Sequence, residues 1–183
     1  MKRSESTLRE RARSEHRSLI GDLFERHQKE IFRYFYYRIG DPHIAEDLTS
    51  EVFLRALQAL PDLRIKPISF QAWLFQIARN LSIDHYRKTK GREERILEEQ
   101  MNHSTDHAER TVDLGLTGQK LRDALAELPA AQRDVIIMRF VAGMPVREVA
   151  TVLEKSEDAI KSLQRRGLQA LRDKLIEWEI TYV

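Results

Sequence analysis

Residues 145–171 read PVREVATVLEKSEDAIKSLQRRGLQAL, and this stretch decides the fold. Pro145 suits the first position of a helix over Val146 to Leu153, because its missing N–H would lack a partner there anyway. After Glu154-Lys155, Ser156 is placed to cap a second helix beginning Glu157-Asp158, with carboxylates at the positive end of the helix dipole. That helix continues to about Trp178. Two helices of about eight and twenty residues across a three-residue turn have helix-turn-helix proportions. In this motif the first turns of the second helix enter the major groove. The readers then fall among Glu157, Asp158, Lys161, Ser162, Arg165 and Arg166, with Ile160, Leu163, Leu168 and Leu171 on or near the buried side. Arg and Lys take guanine edges or phosphates, and a carboxylate accepts from cytosine. The same geometry also serves purely structural bundles, so this stretch alone leaves both readings open.

Working upstream, Leu121, Leu125 and Leu128 form a helix that stops at Pro129, and Val135, Ile136, Met138, Arg139 and Phe140 fall in the next, ending at Gly143. In the first half of the chain, Leu19, Leu23, Phe24, His27, Ile31, Tyr34, Phe35 and Arg38 keep a three-to-four spacing that predicts a helix over 19–39 with an aromatic-rich stripe. Gly40-Asp41-Pro42 stops it. Ile44, Leu48, Val52, Ala56 and Leu60 recur every four residues and predict a second helix ending at Pro61. A loop from Pro61 to Pro67 follows, and Phe70, Trp73, Leu74, Ile77, Ala78 and Leu81 mark a third helix running to about Arg87 or Lys90.

Composition agrees with helices. The 183 residues include seven Gly and five Pro, too few turn-formers for an all-β fold, and no Cys, which excludes disulfides, thiolate metal clusters and a cysteine nucleophile. No apolar run approaches the roughly 20 residues of a membrane-spanning helix, and the charged N-terminus has no apolar segment behind it. The chain is therefore expected to be cytoplasmic, with no membrane insertion. The totals of 31 basic and 29 acidic residues argue at first against a nucleic-acid partner. Taken by segment they do not. Residues 68–95 carry 6 basic and 3 acidic groups, 96–118 carry 1 and 5, and 1–20 carry 6 and 3. The acidic stretch keeps no sustained helical period and reads as a linker, although residues 93–101 could instead continue a helix. The expected organisation is all-α: a basic extension over 1–18, a helical domain over 19–90, a flexible acidic linker over 91–118 and a second helical domain over 119–183.

Projection of the third helix at about 100° per residue gathers Phe70, Trp73, Leu74, Ile77 and Leu81 on one face. Arg79, Asn80, Ile83, Asp84, Tyr86 and Arg87 point elsewhere. That exposed face offers cations for phosphates, polar groups for base edges and a ring for stacking, which is what opening or single-stranded DNA requires. A solvated basic face is the alternative. Glu46, Asp47 and Glu51 on the outer face of the second helix have the wrong sign for DNA; that face is either solvated or docks a basic protein. Arg9, Arg11, Arg13 and Arg17 read best as a solvated arm. His103 and His107 lie four apart in the linker without a second ligand cluster, no glycine-rich phosphate loop exists, and Glu148 has no partner for acid–base work. No catalysis, metal or cofactor is expected.

The same residues carry a resemblance. Ala45-Glu46-Asp47-Leu48-Thr49-Ser50-Glu51-Val52-Phe53-Leu54-Arg55-Ala56 resembles the core-polymerase-binding helix of the sigma-70 family, in its short extracytoplasmic-function (ECF) group. Residues 73–88, from Trp73-Leu74 to Arg87-Lys88, resemble that group's −10 element helix, and Leu128-Pro129 through Phe140, 144–153 and 156–171 resemble its region 4. The resemblance implies that Glu46, Asp47, Glu51 and Arg55 dock on the β′ clamp helices of core RNA polymerase. It further implies that Arg64 and Lys66 of the proline-bracketed loop, with Arg79, Asn80, Asp84, Tyr86, Arg87 and Lys88, capture −10 bases. The helix from Glu157 would read the −35 element, with Lys161, Ser162, Arg165 and Arg166 among its readers, and the helix over 135–140 would meet the β flap. Promoter DNA and an anti-sigma factor complete the implied partners. One departure stands out: family members commonly carry Lys-Ser-Arg-Leu where this chain has Lys161-Ser162-Leu163-Gln164. The rival reading is a dimeric helix-turn-helix regulator that binds operator DNA and never engages polymerase.

Overall fold

The computed structural model describes residue 21 and residues 24–59, 69–99 and 115–181. The basic extension, the loop bearing Arg64 and Lys66, and His103 and His107 lie outside the described residues. The regular structure among those described is entirely helical: α1 (24–39), α2 (Pro42–Ala59), α3 (Phe70–Glu99), α4 (Gly115–Ala126), α5 (Ala130–Ile136) continuing into a π-helical turn (Ile137–Val141), α6 (Val146–Leu153) and α7 (Glu157–Thr181). Among the described residues, no helix is long and apolar enough to cross a membrane.

The corner between α1 and α2 follows from three residues. Gly40 adopts φ 92°, where a Cβ is disfavoured, and its N–H closes on the Tyr36 carbonyl at 2.9 Å. The Asp41 carboxylate then accepts the N–H groups of His43 (2.8 Å) and Ile44 (3.1 Å), satisfying the start of α2. Ala45, Thr49, Val52, Phe53 and Ala56 give α2 its buried stripe. Ser69 caps α3 by accepting the Ala72 N–H at 3.1 Å. Tyr34 and Phe35 of α1 and Leu74 and Phe75 of α3 are fully buried between these helices, and the Tyr34 and Phe75 rings meet edge to face at 5.5 Å. Each such side chain contributes about 1.5–3 kcal/mol through burial.

In the second half, α5 and α6 both pack against α7. Gly167 permits that approach: a Cβ there would lie 2.9 Å from Cγ1 of Ile136. Helix α6 has the expected span, Val146 to Leu153, with Pro145 (φ −68°, ψ 154°) standing just before it as the cap. The turn between α6 and α7 closes through Glu154, a non-glycine residue at φ 54°, followed by the Lys155 N–H on the Ala150 carbonyl at 2.9 Å.

Three expectations change. The third helix does not end near Lys90 but runs to Glu99; residues 92–99 are rich in Glu, Arg and Leu, and the roughly 1 kcal/mol cost of Gly91 does not stop so strong a sequence. The helix expected over 135–143 breaks into a π turn at Ile137. Leu168, expected near the buried side, is 41% exposed, since it sits about 80° around α7 from the buried Ile160.

The two halves touch directly. Helix α3 lies against α6, and Gln71 of α3 donates to the Ala142 carbonyl at 3.1 Å. Arg38 at the end of α1 forms a buried ion pair with Asp134 of α5.

Candidate nucleic-acid interface

Helix α7 is presented by a well-formed cap: Ser156 Oγ accepts the Ala159 N–H at 3.2 Å, as its sequence position predicts. Glu157, Asp158, Lys161, Arg165 and Arg166 are all exposed along its first turns, and Ser162 is half-buried beside them. Lys161 Nζ rests on the Asp158 carboxylate at 3.2 Å. Both groups are open to water, so the pairing is weak and Lys161 can turn to a base or a phosphate at little cost. Leu163, at the departure from the common family pattern, packs against the hydrophobic core. It is therefore no base reader, and the cations of this surface are Lys161, Arg165 and Arg166.

One pair on this face was not anticipated. Arg139, in the π turn, donates from Nε to Gln164 Oε1 at 3.0 Å and from a terminal nitrogen to the Met144 carbonyl. It ties the turn before α6 to α7. The signal was present in the sequence: a single cation inside the apolar run from Val135 to Val141 must find partners to be tolerated.

On α3, Asn80, Asp84, Tyr86, Arg87 and Lys88 are exposed and Arg79 is half-buried, so the polar face expected there exists. Tyr86 is not wholly free within it. Its hydroxyl donates to the Arg38 carbonyl at 2.5 Å, and the Arg38 guanidinium stands 5.6 Å from its ring centre.

The outer face of α2 has different chemistry. Glu46 and Asp47 are exposed, and Glu51 accepts from Arg55 Nε at 2.7 Å. Leu54 (50% exposed) and Leu57 stand on the same side, and composition had not singled them out. Carboxylates around exposed leucines suit a protein partner carrying basic groups, not a duplex. The signal was their place on a helix whose buried stripe was already complete.

Thus three surfaces are in place: an acidic and apolar one on α2, a basic and aromatic one on α3, and one on the first turns of α7 that carries Lys161, Arg165 and Arg166. Residues 23–92 match the family model described as sigma-70 region 2, and residues 124–173 match that described as sigma-70, region 4. The chain belongs to the sigma-70 family. This sigma factor is 31% identical over 156 residues to the ECF RNA polymerase sigma factor SigX of Bacillus subtilis, an alignment covering 82% of the chain and 80% of SigX. It is 38% identical over 166 residues to the ECF RNA polymerase sigma factor BldN of Streptomyces coelicolor, covering 90% of the chain but 63% of BldN, so it spans less than two thirds of that relative. These similarities place it in the ECF group. Its fold is like that of CnrH, solved in complex with the cytosolic domain of CnrY (TM-score 0.65, 25% identity, covering 91% of this chain and 94% of CnrH). The sigma factor RpoE of Bartonella quintana shares the fold at TM-score 0.68 and 24% identity, covering 85% of this chain and 95% of that one.

Proposed function

We propose that this sigma factor binds core RNA polymerase, recognises −10 and −35 promoter elements and promotes opening of the duplex, acting in the cytoplasm without chemistry of its own. The observation that carries this reading is the division of surfaces: a helix-turn-helix alone accounts for DNA reading, but only a polymerase-engaging factor needs the acidic and apolar α2 face beside the basic and aromatic α3 face. In this reading residues 19–90 form the region 2 domain, with 1–18 as an extension, 91–118 as a linker that begins within the end of α3 and finishes within the start of α4, and 119–183 as the region 4 domain. Glu46, Asp47, Glu51 and Arg55, joined by Leu54 and Leu57, meet the β′ clamp helices. Arg79, Asn80, Asp84, Tyr86, Arg87 and Lys88, with Arg64 and Lys66, hold the −10 element, with Tyr86 stacking on an unpaired base. Glu157, Asp158, Lys161, Ser162, Arg165 and Arg166 face the −35 duplex, and the stretch around Phe140, 53% exposed, meets the β flap. An anti-sigma factor is the expected regulator, as the CnrH fold is held by a separate protein in its solved complex. Run-off transcription with purified core polymerase and fragmented genomic DNA tests the reading. Promoter-specific initiation is expected, and its absence in the presence of active core would overturn it.

A further inference from the structure

The two helices of the helix-turn-helix, α6 and α7, are joined by three residues, and a side chain from outside the motif bridges them. Arg139, half-buried in the π turn, donates from Nε to Oε1 of the half-buried Gln164 at 3.0 Å. A terminal nitrogen donates to the carbonyl of Met144, two residues before α6 begins. One planar guanidinium thus spans the entry to α6 and the first half of α7. Gln164 stands where the common family pattern has leucine, which cannot accept this bond. The remaining packing leaves the bond a specific task. Burial of Ile160 and Leu171 holds α7 against its neighbours, but apolar attraction has no direction. At its close approach to α5 the helix presents Gly167, where a Cβ would meet Ile136 Cγ1 at 2.9 Å. With no side chain there, α7 is held at a distance but not against turning about its own axis. A hydrogen bond into a planar fork is directional, and Gln164 lies less than one turn from Gly167. Lys174 also reaches Glu127 at 2.7 Å, but further along the helix and with both ends open to water, where such a pair holds little.

Reading a duplex is sensitive to that turning. Helical projection at about 100° per residue puts Glu157 and Lys161 within about 60° of Gln164, on one flank of α7. A helix with its side chains is about 10–12 Å across, so a rotation of about 20° carries their ends by about 2 Å. A binding constellation tolerates only about 0.5 Å. We propose that Arg139 is a positioning residue for promoter reading: through Gln164 it fixes the rotation of α7 relative to α6, and so sets how sharply Lys161 and its neighbours tell one −35 sequence from another. Arg139 acts through Gln164, not by touching a base. The proposal rests on the reading of α7 as the −35 helix.

Holoenzyme made from core polymerase and the full-length protein is titrated by filter binding, at several salt concentrations, on the genomic fragment with the strongest run-off signal and on copies with single base changes in its −35 element. The ratio of these affinities is the readout. Gln164→Leu, which deletes the acceptor and keeps the bulk, should lower the ratio about 10-fold, the size of one misplaced base contact, with the salt slope and the melting temperature of the free protein unchanged. Arg139→Lys, which keeps the charge but not the fork, should do the same, and the double variant should be no worse than either alone. Gln164→Glu, which retains an acceptor, should keep the ratio and lose only overall affinity, through its added negative charge. Should Arg139→Lys fail to fold, the two Gln164 variants decide the matter by themselves. An unchanged ratio in Gln164→Leu, an even loss on every fragment, a ratio lost equally in Gln164→Glu, or a salt slope lower by about 1, the mark of a lost phosphate contact, would each overturn the positioning role. Wild-type holoenzyme that initiates and discriminates no better than Gln164→Leu removes that role and leaves the sigma reading. Holoenzyme that initiates from no fragment removes the sigma reading and the proposal with it.

Discussion

Two residues hold conformations or environments that mutation can interrogate directly. Glu154 occupies the left-handed region at φ 54° in the turn of the helix-turn-helix, a conformation that costs a residue with a Cβ about 1 kcal/mol and glycine little. Glu154→Gly should raise stability by up to about 0.5 kcal/mol in denaturant melts, the strain relieved slightly exceeding the added freedom of the unfolded chain. Tyr34 is fully buried, and burial pushes its pKa above the ordinary tyrosine value, with the nearby Arg38 cation pulling the other way. A raised folded-state pKa means that its contribution is complete below the unfolded value near 10 and is lost as pH rises through the folded one. The stability difference between wild type and Tyr34→Phe, followed by urea unfolding, should therefore be flat below about pH 9 and turn against the wild type above about pH 10. At this scale the sequence was informative about exposure and poor about partners. The three-to-four spacing set Arg38 on a stripe with Tyr34 and Phe35. That its charge would be met by Asp134, 96 residues away, is a consequence of tertiary packing that no local spacing encodes.

The helices themselves were largely legible. Alternation of apolar and polar positions, Pro129, Gly143 and the Ser156 cap located α6 and the start of α7 to within a residue, because caps and proline act locally. The π turn was not legible, since Val135 to Phe140 keeps a spacing that suits an ordinary helix, and the Gln164 that Arg139 meets from within the turn lies 25 residues away. Of the candidate surfaces, the charged members were found by residue type, whereas Leu54 and Leu57 were hidden among apolar residues that could equally have been core. Two experiments belong to these elements. Reversing charge on α2 with Asp47→Lys and Glu51→Lys should weaken core binding by at least about 10-fold in a competition assay, while duplex binding by α7 stays unchanged. On α7, Lys161→Ala should lower −35 affinity by about 1–3 kcal/mol in filter binding with holoenzyme if it takes a base, and by less, evenly across sequences, if it takes a phosphate.

Across the whole molecule the near-neutral charge total conceals a spatial arrangement. The exposed carboxylates of α2 and the exposed cations of α3 and α7 stand on different helices, so charges of each sign are grouped and not evenly mixed. Charge grouped in this way gives each surface a local field of its own sign. Such a field guides the approach of a partner: the carboxylates of α2 attract basic protein and the cations of α3 and α7 attract DNA. Such guidance is a property of the approach, not of the bound state, and it fades as salt shortens the Debye length from roughly 30 Å at 0.01 M to about 8 Å at 0.15 M. The buried Arg38–Asp134 pair feels that screening little. Stopped-flow mixing with core polymerase should accordingly show an association rate that falls steeply with ionic strength, while the urea unfolding midpoint of the free protein hardly changes. Salt thus acts as a filter in time, slowing the meeting of the partners without loosening the fold that meets them.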